Sequence, residues 1–150
     1  MSDQTMPITG GCLCGAVRYE ASEPPIDSAY CHCKMCQRWK GAPVSASAGF
    51  PTATLRITRG QPKFYQSSPN VDRGFCSDCG SSLFIRYPES DEIWVGTGTM
   101  DKAENVQPRR HMGIESQLPW FMIADDLPRI RSDEEPGTPD YESAAKARGG

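Results

Sequence analysis

Residues 31–36 read Cys31-His32-Cys33-Lys34-Met35-Cys36, three cysteines within six positions, and the reading of this stretch decides the rest of the chain. In an extended segment successive side chains point to opposite faces, so the C-x-C spacing aims Cys31 and Cys33 to one side and His32 to the other. Two thiolates placed this way can share one ion. Working outward, Cys12-Leu13-Cys14 repeats the C-x-C spacing, and Cys76-Ser77-Asp78-Cys79 has the C-x-x-C spacing of a zinc knuckle, where a small turn brings two sulfurs to about 2.3 Å from the metal. Gly15 and Gly80 directly after these pairs suit a tight backbone.

The chain has seven cysteines and all fall in these three groups. An odd number cannot pair fully as disulfides, and a reducing compartment does not favour them, so clustered thiols read as metal ligands. A lone cysteine is more often a small buried apolar residue, but core packing gives no reason for ligand spacing three times over. Seven ligands divide as four plus three. The simplest division closes one site with Cys12, Cys14, Cys76 and Cys79 and gives Cys31, Cys33 and Cys36 a second zinc with one position free for water or substrate. A competing division pairs Cys33 and Cys36 with Cys76 and Cys79 in a ribbon-like site and leaves Cys12, Cys14 and Cys31 unexplained.

The surrounding sequence predicts short strands. Among 150 residues, 14 glycines and 13 prolines argue against a helical bundle and for strands joined by tight turns. Strands are predicted at 16–20, 44–50, 55–59, 63–66, 83–87, 93–98 and 111–116, with weak helical signal throughout and residues 1–9 as a flexible lead-in. From Ser132 the apolar periodicity ends, so 132–150 reads as a disordered acidic tail and the preceding residues, from about 8 to 131, as one domain. The net charge of −3 belongs to that tail, since residues 1–131 are balanced. A balanced body lacks the basic footprint that binding to nucleic acid or an anionic membrane surface requires. Met1 to Gly11 has neither the basic patch nor the apolar run of a secretory signal, and no stretch approaches the ~18 apolar residues that span a bilayer. These features predict a cytoplasmic protein.

With Gly10-Gly11-Cys12-Leu13-Cys14-Gly15-Ala16-Val17-Arg18-Tyr19, Cys31 to Arg38, and Gly74-Phe75-Cys76-Ser77-Asp78-Cys79-Gly80-Ser81-Ser82-Leu83 in this order, the chain resembles the glutathione-dependent formaldehyde-activating enzyme and centromere protein V family of small zinc proteins. Pro108, His111, Ser116, Pro119-Trp120 and Asp126-Leu127-Pro128 extend the likeness over residues 8–130. The resemblance implies an all-β fold of packed antiparallel sheets of the β-tent type with zinc knuckles and few short helices. It implies two Zn²⁺ per chain, with Cys12, Cys14, Cys76 and Cys79 structural and Cys31, Cys33 and Cys36 at the active site. It also implies carbon–sulfur lyase chemistry on a small aldehyde and a glutathione-like thiol, of the S-hydroxymethylglutathione type. Gly98-Thr99-Met100-Asp101 departs from the family's glycine-serine-leucine-aspartate stretch and is a place where a pocket wall would differ.

On this reading His32 and Arg38 are the candidate catalytic residues, by proton transfer or by pairing with a substrate carboxylate. His111 reads first as a structural histidine, and Trp39 and Trp120 as core aromatics that can wall a pocket. The alternative to an enzyme is a zinc-stabilised binding module in which a further ligand, such as His111, closes the second site.

Overall fold

In the computed structural model, which describes residues 6–134, eleven strands form two sheets around one core. The smaller sheet has the order β1-β2-β5, from Ile8–Gly11, Arg18–Ala21 and Leu55–Arg59. The larger has the order β11-β10-β3-β4-β9-β8-β7-β6. Its strands are β3 (Asp27–Cys31), β4 (Ser45–Pro51), β6 (Lys63–Ser68), β7 (Val71–Phe75), β8 (Ser82–Arg86), β9 (Glu92–Gly96), β10 (Arg110–Met112) and β11 (Arg129–Ile130). Neighbours are antiparallel except around β10, which runs parallel to both β3 and β11. The one α-helix among the described residues, α1, covers Lys34–Lys40. Among the described residues no helix is long and apolar enough to cross a membrane.

Period-two alternation explains how one sheet serves both core and site. Ser28, Ala48, Val95 and Phe84 are register partners across β3, β4, β9 and β8. Their face turns inward, where Phe50, Phe84, Leu83 and Val95 are fully buried. Tyr19 and Ala21 of β2 meet them from the small sheet, and the Tyr19 ring packs edge-on against Phe84 at 5.5 Å. Each such large apolar side chain contributes roughly 1.5–3 kcal/mol by leaving water. The alternate positions, Ala29, Cys31, Ser47, Trp94, Ile85 and Arg73, share the other face and line a cavity.

Several elements differ from the sequence expectation. Ile8 and Thr9, expected in a flexible lead-in, open β1, and Ile8 is buried against the core. The segment expected as one strand over 111–116 is a strand only to Met112, because Gly113 adopts a left-handed conformation and a 3-10 turn follows. Of the expected tail, Ser132–Glu134 form a 3-10 turn and the remainder lies outside the described residues.

Candidate metal centres

Cys12 and Cys14 follow β1, and Cys76 and Cys79 follow β7, so the end of the small sheet meets an inner strand of the large one at four thiols. Their sulfurs all lie within 4.8 Å of one another. Cys12 Sγ stands 3.7 Å from Cys14 Sγ, and Cys14 Sγ 3.8 Å from Cys76 Sγ. A disulfide would require about 2.05 Å. A tetrahedron of sulfurs around zinc, each about 2.3 Å from the ion, has edges of about 3.8 Å. The donor set therefore fits a closed tetrahedral site. Each knuckle turns through a glycine at positive φ, Gly15 at 82° and Gly80 at 79°, and Gly80 N–H closes the second turn onto Cys76 O at 2.8 Å. Val17 N–H donates to Cys12 Sγ at 3.2 Å. The Ser81 hydroxyl, 3.2 Å from Cys79 Sγ, and the Ser81 N–H pull the Cys79 thiol down to about 5.

Cys31, Cys33 and Cys36 form a second group whose sulfurs also lie within 4.8 Å of one another. Cys31 ends β3, Cys33 is the N-cap of α1, and Cys36 stands in the first turn, where its N–H donates to Cys33 Sγ at 3.4 Å. These thiols compete for one negative charge. Hydrogen bonding from Cys31 and Cys33, aided by the Arg73 charge, holds Cys36 well below its ordinary value, while Cys33 and Cys36, with burial, push Cys31 well above. A divalent cation relieves that competition by stabilising all three as thiolates.

The chain behind this trio is fixed by buried polar groups. His32 points away from the cysteines that flank it, and its Nε2 lies 2.8 Å from His111 Nδ1. His111 Nε2 in turn lies 2.9 Å from Asp125 Oδ2, and both rings are fully buried. Where His32 Nε2–H donates to His111 Nδ1, Asp125 accepts from His111 Nε2–H and His32 Nδ1 keeps a lone pair. That nitrogen has no hydrogen-bond partner. Burial, with His111 beside it, depresses the His32 pKa, in keeping with a neutral ring. Gln37 donates to His32 O at 2.7 Å and to Ser116 O at 2.9 Å, tying α1 to both flanking segments. At Gly113, φ is 65° and a Cβ would stand 2.9 Å from Cys33 N, so a bare backbone is needed where it passes the ligand loop.

On its open side the trio borders a cavity of about 420 Å³, within the usual range for a small-molecule site. Ile85, Trp94 and Met112 give it apolar walls, and Tyr87 and Arg73 are among its polar members. Burial raises the Tyr87 pKa, which keeps its hydroxyl protonated. His32 and Arg38 do not line this cavity: His32 serves the buried network, and Arg38 is exposed on α1. Trp120, considered as a pocket wall, is 70% exposed, and Trp94 stands at the cavity instead. Thr99 and Asp101 lie elsewhere, bonded to Tyr19 and to Arg18 and Thr9 at the small sheet. Sequence reasoning misses Arg73, Tyr87 and Trp94; their one signal is period-two placement, Arg73 and Trp94 on strands of the cysteine-bearing sheet and Tyr87 just past the end of β8.

The family model of the glutathione-dependent formaldehyde-activating enzyme matches residues 7–116. An uncharacterised lyase of Schizosaccharomyces pombe is 32% identical over 128 residues, 83% of this chain and 91% of the relative. A protein of Halomonas elongata, provisionally named as a glutathione-dependent formaldehyde-activating enzyme, is 28% identical over 79% of this chain and 82% of its own. A crystal structure of a Rhodobacter sphaeroides protein superposes with a TM-score of 0.54 at 27% identity, covering 67% of this chain and 92% of that one.

Proposed function

Because the chain belongs to the family of the glutathione-dependent formaldehyde-activating enzyme, we propose that it is a zinc-dependent carbon–sulfur lyase that joins a small aldehyde to a glutathione-like thiol and reverses that step. The observation that carries this reading is the placement of three convergent thiols, one short of a closed site, on the wall of a 420 Å³ cavity. Cys12, Cys14, Cys76 and Cys79 would hold a structural zinc, and Cys31, Cys33 and Cys36 would hold a second beside the cavity. Zinc bound there supplies Lewis-acid chemistry, lowering the pKa of a bound thiol or polarising a carbonyl.

The remaining roles fall to the chain. Ile85, Trp94 and Met112 shed water from the cavity and hold the two reactants together, which is worth more as the adduct is small and mobile. The thiol sulfur bonds to the aldehyde carbon, and the proton the thiol loses ends on the former carbonyl oxygen. Tyr87 O–H, kept protonated by burial, donates a hydrogen bond to that oxygen as it gains charge. His32 acts from behind, fixing the backbone between Cys31 and Cys33 through His111 and Asp125. Arg38, on the exposed face of α1, meets a substrate carboxylate only where a long thiol extends out of the cavity. The domain that does this work spans residues 8–131.

The test loads the protein with zinc, counts ions per chain by mass spectrometry, and follows S-hydroxymethylglutathione formation from formaldehyde and glutathione by NMR against the uncatalysed rate. Acceleration with two ions bound is the expected result. A protein with two ions and no acceleration overturns the formaldehyde–glutathione assignment.

A further inference from the structure

A charge taken out of water is costly unless something neutralises it. Arg73, in the middle of β7, is 4% exposed. Its Nε donates to Ser67 Oγ at 3.1 Å, its Nη1 is buried with no hydrogen-bond partner, and no carboxylate pairs with it among the described residues. Its guanidinium lies instead 4.9 Å from the centroid of the Trp39 ring, and the Lys40 ammonium lies 4.8 Å from the same centroid. Trp39 and Lys40 stand three and four residues beyond Cys36 on α1, so all three share one helix face. Lys40 is half-buried and reaches over Gly96, where a Cβ would come within 2.9 Å of its Nζ. It too has no carboxylate partner among the described residues. Arg73 lines the same cavity as Cys31, Cys33 and Cys36, and Lys40 rises from the helix that carries Cys36. Of the carboxylates lining the cavity, Asp27 is paired with Arg110, Glu92 accepts from Trp94 Nε1–H and Glu89 is exposed to water, and none is paired with Arg73 or Lys40.

Three thiolates around a dication leave one negative charge. Arg73 balances it, and Lys40 remains in excess. A neutral fourth ligand such as water leaves that excess in place, whereas a thiolate removes it. Resting on the zinc reading above, we infer that Arg73 and Lys40 are positioning residues that make the Cys31/Cys33/Cys36 centre select an anionic thiolate over a neutral ligand for its fourth position. The thiol then enters as thiolate, and the aldehyde meets it from the cavity.

The experiment uses the cobalt-loaded protein, titrated with 2-mercaptoethanol and separately with imidazole, following the sulfur-to-cobalt charge-transfer band and the d–d bands. The wild type is expected to gain charge-transfer absorption with the thiol and to favour it over imidazole. Arg73→Gln and Lys40→Met are each expected to weaken thiol binding roughly tenfold, as loss of one nearby charge requires, and to leave imidazole binding within about twofold. Arg73→Lys is expected to recover most of the loss. Equal losses for thiol and imidazole, or unchanged thiol binding in folded variants, overturn the inference. If Arg73→Gln does not fold, Lys40→Met alone decides by the same criterion. A wild type that shows the charge effect but no condensation of formaldehyde with glutathione overturns the proposed reaction and leaves this inference standing; condensation without thiol selectivity does the reverse. A chain that takes up one cobalt and leaves Cys31, Cys33 and Cys36 free overturns both.

Discussion

Cys12, Cys14, Cys76 and Cys79 come from two knuckles that follow strands of different sheets, whereas Cys31, Cys33 and Cys36 come from six consecutive residues on one strand-to-helix turn. The first set joins parts of the fold far apart in sequence: Cys12 and Cys76 are buried in the core, Cys14 is exposed, and the knuckles are linked by Leu13 N–H to Ser81 Oγ and by the thiols themselves. The second set sits in a segment already held on every side, by β3 pairing, by His32 N–H on Met112 O at 2.9 Å, and by Gln37 and the two buried imidazoles. An ion in the first set is therefore a cross-link of the fold. An ion in the second is a guest of a segment that hydrogen bonds already shape, which is what a site with an open position requires.

The sharpest way to break this contrast is to remove one thiol from each set. Cys76→Ser is expected to lose at least about 4 kcal/mol of stability in urea unfolding, since the ion's binding energy is folding energy there. Cys36→Ser is expected to stay folded, melt within about 5 °C of the wild type and carry one ion fewer per chain, read by mass spectrometry. If the two variants unfold alike, both ions are structural and the binding-module reading replaces the enzyme. A smaller effect tests the shaped segment. Gly113→Ala forces a side chain at positive φ against Cys33 N, so it should cost about 1–3 kcal/mol and weaken metal binding by the trio alone, as chelator competition would show. The smallest effect is expected beside the other set, at the partly exposed Arg18–Asp101 pair: Asp101→Asn should cost less than about 1 kcal/mol. Arg18, with Thr9, lowers the Asp101 pKa, so that contribution is present above the unfolded carboxylate value near 4 and is lost as pH falls through the lower folded value. Wild type and variant should thus converge in acid.

The sequence carries these two sets unequally. Thiol spacing marks three cysteine clusters but leaves open which of them join, a choice the structure makes by bringing Cys12 and Cys14 to Cys76 and Cys79; strands with apolar alternation are legible, β5 at its observed bounds of Leu55–Arg59. The strands that position the trio and its charges are not. Asp27-Ser28-Ala29-Tyr30-Cys31 and Val71-Asp72-Arg73-Gly74-Phe75 each break the apolar alternation with polar residues, some of which find partners far along the chain, Ser28 on Gln107 O at 2.6 Å for one. The helix between them is seven residues long and capped by a cysteine, so it shows neither the length nor the usual Ser, Thr, Asp or Asn start signal. Residue types around the site follow the same rule. The C-x-C alternation turns His32 away from the thiols, but Asp125, which completes its network, is reached only through β10 lying parallel to β3.

The spacing between thiols also sets an order in time. Cys33 and Cys36 are three residues apart and Cys14 and Cys76 are 62 apart, so closing the longer loop costs about 3 kcal/mol more chain entropy before any sheet has formed. On the zinc reading, an emerging or refolding chain meets its first ion at the trio, while the four-thiol set waits until both sheets exist. The last ion to arrive is the one that latches the finished fold, and metal scarcity would strand the chain with its reactive centre filled and its two sheets unlatched.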